Sequence, residues 1–88
     1  MAADVEIYTW RYCPFCIRAK QLLERKGVPY TEYAIDGDHA ARAAMTERAD
    51  GRSSLPQIFI AGRGIGGCDE LHALERAGQL DPLLGLAR

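Results

Sequence analysis

The stretch that decides the fold covers residues 5–27 and reads VEIYTWRYCPFCIRAKQLLERKG. Its first six residues are rich in β-branched and aromatic side chains, which predicts a strand. Pro14 suits the first turn of a helix, because its missing N–H would have no partner there. Gly27 is a natural residue to end that helix. The apolar residues between them share one helical face: Cys16, Ala19, Leu22 and Leu23.

The rest of the chain continues this alternation of strands and helices. Strands are predicted at YTEYAI (residues 30–35), at QIFIA (57–61) and near Ile65; helices are predicted at residues 39–49 and 68–77, with a short one starting near Asp81. The order β-α-β-α-β-β-α predicts an α/β domain over residues 1–88. We expect a four-stranded mixed sheet with helices on both faces. Its first two strands should be parallel, and its last two should form an antiparallel hairpin.

Composition narrows the class of protein. The chain has 88 residues, 48% of them hydrophobic, which is enough for one small domain with its own core. A net charge of −1 argues against nucleic acid or an anionic membrane as the main partner. We find neither an apolar run of about 20 residues that could span a membrane nor the pattern of a signal peptide. We therefore expect a cytoplasmic protein, and a monomer.

The C-P-F-C motif allows three interpretations: a structural disulfide, half of a zinc site, or a reactive thiol couple. The cytoplasm keeps structural thiols reduced, and three cysteines cannot all pair, so a structural disulfide is disfavoured. Zinc sites use the same cysteine spacing but usually need four ligands. The remaining candidates are Cys68, His72 and His39, of which only Cys68 and His72 share a helical face. We expect no metal.

A reactive couple fits the position of the motif. Cys13 lies where the strand ends and the helix begins, so unpaired N–H groups and the helix dipole favour its thiolate. Such positions lower the pKa of the first cysteine in C-x-x-C motifs, and the positive charge of Arg11 acts in the same direction. Cys16 lies on the apolar face, where desolvation keeps it a thiol. We therefore expect Cys13 to attack disulfides and Cys16 to resolve the mixed disulfide.

CPFC together with SLPQIFI and GIGGCDEL resembles the glutaredoxins, and most closely the bacterial dithiol type represented by glutaredoxin 3. The similarity extends from about Val5 to Leu84. It implies a thioredoxin-like fold and a glutathione-dependent thiol–disulfide oxidoreductase. Glutathione would be the co-substrate, and glutathionylated or disulfide-containing proteins would be the partners.

The resemblance also assigns residues near the motif. It implies that Cys13 is the nucleophile and Cys16 the resolving thiol. Phe15 stands where the family usually has tyrosine and would form an aromatic wall beside glutathione. Arg11 stands for a lysine that is expected to meet the glycyl carboxylate, and arginine retains the charge.

Two distant segments complete the glutathione site that the resemblance implies. Leu55 and Pro56 match an element in which the proline is cis, and Leu55 would pair with the tripeptide backbone like a short added strand. Gly67, Cys68 and Asp69 match an element in which helix N–H groups hold the γ-glutamyl carboxylate and the aspartate holds the ammonium. Without the resemblance, Asp69 could equally be a helix cap, and Cys68 a small buried residue. Contacts from Arg42 or Arg52 stay open.

Two other functions compete with this interpretation. A glutathione-ligated iron–sulfur dimer would use Cys13, although Pro14 disfavours it, and it would colour the anaerobically purified protein brown. A thioredoxin-like reductase would accept electrons from a flavoprotein, although thioredoxins carry WCGPC where this chain has CPFC. Comparing turnover with glutathione and with thioredoxin reductase separates that function from ours.

Overall fold

The computed structural model describes residues 3–86, so the predicted domain limits at residues 1 and 88 lie outside the described part. It contains every predicted element in the predicted order. The strands are β1 (Val5–Thr9), β2 (Thr31–Ala34), β3 (Gln57–Ile60) and β4 (Arg63–Gly66). The helices are α1 (Pro14–Arg25), α2 (His39–Arg48), α3 (Cys68–Arg76) and α4 (Leu80–Leu84).

The strands form one four-stranded sheet in the order β2-β1-β3-β4. β1 and β2 are parallel, with Thr9 opposite Ala34. β1 and β3 are antiparallel, and β3 and β4 form the predicted antiparallel hairpin. The prediction of a mixed sheet is therefore confirmed, and β1 and β3 occupy its centre.

Helices cover both faces of the sheet, as predicted. Alternate side chains of a strand point to opposite faces. On one face, Val5 and Ile7 of β1 pack with the apolar residues of α1, α3 and α4. On the other face, Glu6 and Tyr8 accept hydrogen bonds from Arg48 at the end of α2.

The helix that follows the C-P-F-C motif begins as its sequence indicates. Pro14 is its first residue, and the predicted face of Cys16, Ala19, Leu22 and Leu23 is buried. Lys26 is the C-cap, and Gly27 follows with a φ of 69°, the left-handed conformation that glycine adopts readily. Local sequence therefore sets both ends of α1.

Several elements are shorter than predicted. β2 covers only residues 31–34, whereas the pattern predicted 30–35. The reason lies in the pairing: β2 is an edge strand, and its register with β1 extends from Glu6–Thr31 to Thr9–Ala34. The same limit leaves Trp10 beyond the end of β1, with 41% of its surface exposed.

A side-chain contact fixes the loop that carries the dithiol. The backbone N–H of Arg11 donates to both carboxylate oxygens of Asp36, at 3.0 and 2.9 Å. Asp36 follows β2, which is the parallel neighbour of β1. The contact ties the loops at the ends of β1 and β2 together, and so holds the dithiol at the C-terminal end of the central strand β1.

Candidate active site

Cys13 and Cys16 form a disulfide at the start of α1, with their Cα atoms 5.1 Å apart. Cys13 is the N-cap of the helix, and its sulfur accepts the backbone N–H of Cys16 at 3.1 Å. A sulfur held against a helix N-terminus is stabilised as a thiolate by that hydrogen bond and by the helix dipole. The predicted position of the couple between strand and helix is therefore observed.

The two sulfur atoms differ in access. Cys13 is half-buried, whereas only 1% of the Cys16 surface is exposed, and Cys16 lies on the apolar face of α1. The Cys13 sulfur also lies 3.8 Å from the carbonyl oxygen of Leu55, at the rim of an adjacent cavity. An incoming disulfide can therefore reach Cys13 but not Cys16.

That cavity has a volume of about 230 Å³ and is assembled from three separate segments of the chain. Phe15 comes from α1, and the Leu55–Pro56 peptide bond, which is cis, comes from the approach to β3. The start of α3 forms the opposite wall. The lining residues are Phe15, Ser54, Leu55, Pro56, Gly67, Cys68, Asp69 and Glu70. The cavity thus brings together six of the seven residues predicted to bind glutathione.

The start of α3 differs in detail from the expectation of open N–H groups. Gly67 is the N-cap, and its N–H donates to the Oε1 atom of Glu70 at 2.6 Å. One of the N–H groups expected to hold an anion is therefore already occupied by a carboxylate of the same helix. Asp69 lies in the first turn and is exposed, and the capping contact belongs to Glu70 instead.

Cys68 belongs to the hydrophobic core, where only 4% of its surface is exposed. Burial raises the pKa of its thiol, and the positive charge of Arg18 offsets part of this effect. The Nδ1 atom of His72 lies 3.4 Å from the sulfur and 2.9 Å from the Cys68 carbonyl oxygen. These two residues do share a face, but within residues 3–86 no group of three or more His, Cys, Asp or Glu side chains could hold a metal ion.

Arg11 lies apart from the cavity that contains the other six candidates. Its side chain is 72% exposed, and its Nε atom forms a long ion pair of 3.9 Å with Asp36. It lines a second groove together with Trp10 and Ile17. Its predicted contact with the glycyl carboxylate remains a prediction.

The two other arginines that the sequence left open make contacts within the protein. Arg42 donates from Nε and Nη2 to the carbonyl oxygen of Ser53, and its guanidinium lies 5.2 Å from the centre of the Trp10 ring. Arg52 donates from Nε to the carbonyl oxygen of Ala49 at 3.4 Å. Both side chains thereby support the loop that leads to Leu55.

Sequence reasoning missed two residues of the cavity, Ser54 and Glu70. Glu70 had a local signal, because glutamate three residues after a helix N-cap is the pattern of a capping box. Ser54 had none, since a serine in a loop before a proline is ordinary turn chemistry.

Comparison with known proteins decides the family. The family model "Glutaredoxin" matches residues 5–65, which is more than half of the chain. The chain belongs to the glutaredoxin family. The predicted membership is thereby confirmed, and the fold prediction agrees with solved glutaredoxin structures. We therefore describe the chain as a thiol–disulfide oxidoreductase with a thioredoxin-like fold.

Individual relatives cover nearly the whole chain. A probable glutaredoxin of Synechocystis is 62% identical over 84 residues, which cover 96% of each chain. Glutaredoxin 3 of Escherichia coli is 56% identical over 82 residues, or 93% of this chain and 98% of the relative. The crystal structure of a buckwheat glutaredoxin–glutathione complex superposes with a TM-score of 0.87 at 30% identity, covering 97% of this chain and 83% of the other. Within residues 3–86, no helix has the length and apolarity required to cross a membrane.

Proposed function

We propose that this glutaredoxin is glutathione-dependent and reduces glutathione mixed disulfides and protein disulfides through Cys13 and Cys16. The observation that carries the proposal is the cavity of about 230 Å³ whose rim lies beside the Cys13 sulfur. A related glutaredoxin with the same fold has been crystallised with glutathione. Because the chemistry needs reduced thiols, we place the activity in a reducing compartment, the cytoplasm.

In the first step, the Cys13 thiolate attacks the glutathionyl sulfur of a mixed disulfide. The sulfur–sulfur bond of the substrate breaks as a new one forms between Cys13 and glutathione. The target sulfur leaves as a thiolate and takes a proton from water. The hydrogen bond from the Cys16 N–H to the Cys13 sulfur stabilises the attacking thiolate.

In the second step, the thiolate of another glutathione attacks the glutathionyl sulfur on Cys13. Oxidised glutathione forms, and the Cys13 thiolate is regenerated, so two electrons have passed from glutathione to the target. For a protein disulfide, the Cys13 thiolate first forms a mixed disulfide with one target sulfur, and the other target sulfur leaves as a thiolate. Cys16 then attacks the Cys13 sulfur and releases the substrate, and two glutathione molecules reduce the resulting Cys13–Cys16 disulfide. The buried position of Cys16 suits this role, because its sulfur reaches the neighbouring Cys13 sulfur but not a disulfide in solvent.

The cavity supports a specific orientation for glutathione. The backbone of Leu55 would pair with the tripeptide, and the ring of Phe15, which is 51% exposed, would cover it. The N–H groups at the start of α3 would face the γ-glutamyl carboxylate, and the Asp69 carboxylate would face the ammonium. Cys68 contributes to this wall through its backbone, because its side chain lies in the core.

Two serine variants test the assignment of roles. Cys13→Ser should abolish reduction of both glutathionylated cysteine and a protein disulfide, because the accessible nucleophile is lost. Cys16→Ser should still reduce glutathionylated cysteine with glutathione but should lose the dithiol route to protein disulfides. A Cys13→Ser enzyme that stays active on either substrate would contradict the mechanism. Turnover with thioredoxin reductase but not with glutathione would contradict the proposed electron donor.

A further inference from the structure

A second groove flanks the start of α1, and we call it the Trp10 groove. It has a volume of about 360 Å³, and the residues that define it here are Trp10, Arg11, Ile17, Lys20, Glu32 and Asp36. Phe15, which lines the first cavity, and Ile17, which lines this groove, are separated by about 200° around the helix axis. The cavity and the groove therefore lie on opposite sides of the helix start that carries the reactive cysteine.

Exposed apolar surface is concentrated around this helix start. The described residues 3–86 contain five large hydrophobic side chains that are exposed, and four of them lie within four positions of Cys13. These four are Trp10 (41%), Tyr12 (87%), Phe15 (51%) and Ile17 (47%). Apolar side chains kept in contact with water around a reactive group favour an apolar partner. Trp10 and Ile17 place part of this surface inside the groove.

The charged side chains of the groove differ in how completely they are paired within the protein. Glu32 accepts hydrogen bonds from Lys20 at 2.9 Å and from Thr9 at 2.6 Å, so this carboxylate is well paired. Both oxygens of Asp36 instead accept the backbone N–H of Arg11. The Arg11 guanidinium is left with one ion pair of 3.9 Å and an exposed side chain. A guanidinium in this position can still bind an external carboxylate through two hydrogen bonds.

We propose that the Trp10 groove binds the target polypeptide, and that it prefers segments with an apolar and an acidic residue beside the glutathionylated cysteine. The apolar side chain packs on Trp10 and Ile17, and the acidic side chain pairs with Arg11. This inference rests on the proposed function. During attack, the target sulfur is still bonded to the glutathionyl sulfur, so the polypeptide lies beside Cys13 while glutathione fills the cavity.

Three substrates separate this inference from the proposed function. The first is the mixed disulfide of glutathione with cysteine, which carries no polypeptide. The second is a glutathionylated peptide with Glu and Phe before its cysteine, and the third has Lys and Ser there instead. We expect kcat/KM on the acidic, apolar peptide to exceed that on the basic, polar peptide by about tenfold.

Two variants assign that preference to the groove. Ile17→Ser should lower kcat/KM on the acidic, apolar peptide about threefold or more, with turnover of the cysteine mixed disulfide unchanged. Arg11→Gln should reduce the preference for the acidic, apolar peptide over a fourth substrate, a glutathionylated peptide with Lys and Phe before its cysteine, which differs from it only in the charged residue. Arg25→Gln is the matched control, because it deletes an exposed arginine from the last turn of α1 and should retain the preference.

The possible outcomes are distinguishable. Equal kcat/KM on both peptides in the wild-type protein overturns the inference, and so does an Ile17→Ser variant with an unchanged peptide preference. An Arg11→Gln variant with a raised KM for glutathione and an intact peptide preference assigns Arg11 to glutathione, which also overturns it. If the wild-type protein self-associates and Ile17→Ser abolishes this association, the groove is occupied by a second copy of the chain, and the inference is overturned. Failure to reduce the cysteine mixed disulfide contradicts the proposed function instead.

Discussion

Gly66→Ala is the substitution whose effect the structure defines most closely. Gly66 ends β4 with a φ of 111°, a conformation that residues with a side chain rarely adopt. A Cβ atom on Gly66 would lie 2.9 Å from both the Cγ and the Oε1 atoms of Glu70. Oε1 is the atom that accepts the Gly67 N–H at the start of α3. Alanine at this position therefore displaces the capping carboxylate as well as straining the backbone.

The magnitude follows from these two terms. Backbone strain at positive φ costs about 1–2 kcal/mol for a residue with a Cβ atom. Loss of a helix cap costs about 1 kcal/mol more, so the free energy of unfolding should fall by roughly 2–3 kcal/mol. In a chain of 88 residues, each kcal/mol shifts Tm by about 4–8 °C. We expect Gly66→Ala to lower Tm by roughly 15 °C.

Gly62→Ala is the matched control in the same hairpin. Gly62 also has a positive φ, 79°, but nothing lies within 4 Å of the place its Cβ would occupy. It should lose only about 1 kcal/mol, from strain alone. Thermal unfolding followed by circular dichroism, with urea titration for the free energies, measures both variants.

A double variant tests the coupling to the helix cap. Glu70→Ala removes the carboxylate that the new methyl group would displace, so cap loss is counted once in Gly66→Ala/Glu70→Ala. The double variant should be destabilised by about 1 kcal/mol less than the sum of its single variants. Strict additivity, or equal losses in Gly62→Ala and Gly66→Ala, would refute the reasoning.

Three further predictions concern ionisable groups. Burial raises the pKa of the Cys68 thiol, so iodoacetamide near neutral pH should spare Cys68 in the reduced native protein and label it in denaturant, as peptide mass spectrometry would detect. Arg48 lowers the pKa of the Glu6 carboxyl, so their pairing stabilises the fold at neutral pH and is lost as pH falls through that lowered pKa. Arg48→Met should therefore lower the free energy of unfolding in urea by about 1–2 kcal/mol at neutral pH, and by less in acid. The carboxylates of Asp81 and Glu75 raise the pKa of Lys26. Lys26→Met should therefore lower the free energy of unfolding by about 1 kcal/mol at neutral pH, and this loss should disappear as pH rises through the raised pKa.

Each of these predictions has a contrary result. Labelling of native Cys68 at the rate of an exposed thiol would show that the core opens readily at α3. An Arg48→Met cost that is the same in acid as at neutral pH would assign the loss to packing on the Phe59 ring, 3.9 Å from the guanidinium, and not to Glu6. A Lys26→Met cost that persists in alkali would likewise exclude its ion pairs as the cause.

The sequence alone determined the element order, the dithiol and the family. The helix after Cys13 could be predicted because Pro14, Gly27 and the apolar spacing between them act within a few residues. Such local preferences do not depend on the rest of the fold. The strand ends were less predictable: β2 stops where its pairing with β1 stops, and that limit lies in the partner strand.

Tertiary structure decided where the charged side chains point. The contact of Arg11 with glutathione stays a prediction; in the fold the Arg11 backbone N–H donates to Asp36, 25 positions away, and the Arg11 side chain lines the Trp10 groove. The Gly67 N–H, which was expected to be available for an anion, donates instead to the carboxylate of Glu70. A long charged side chain has many rotamers of similar energy, and partners brought close only by the fold select among them. For that reason the sequence identifies the reactive sulfur, whereas the surfaces on either side of it are defined only in the folded protein.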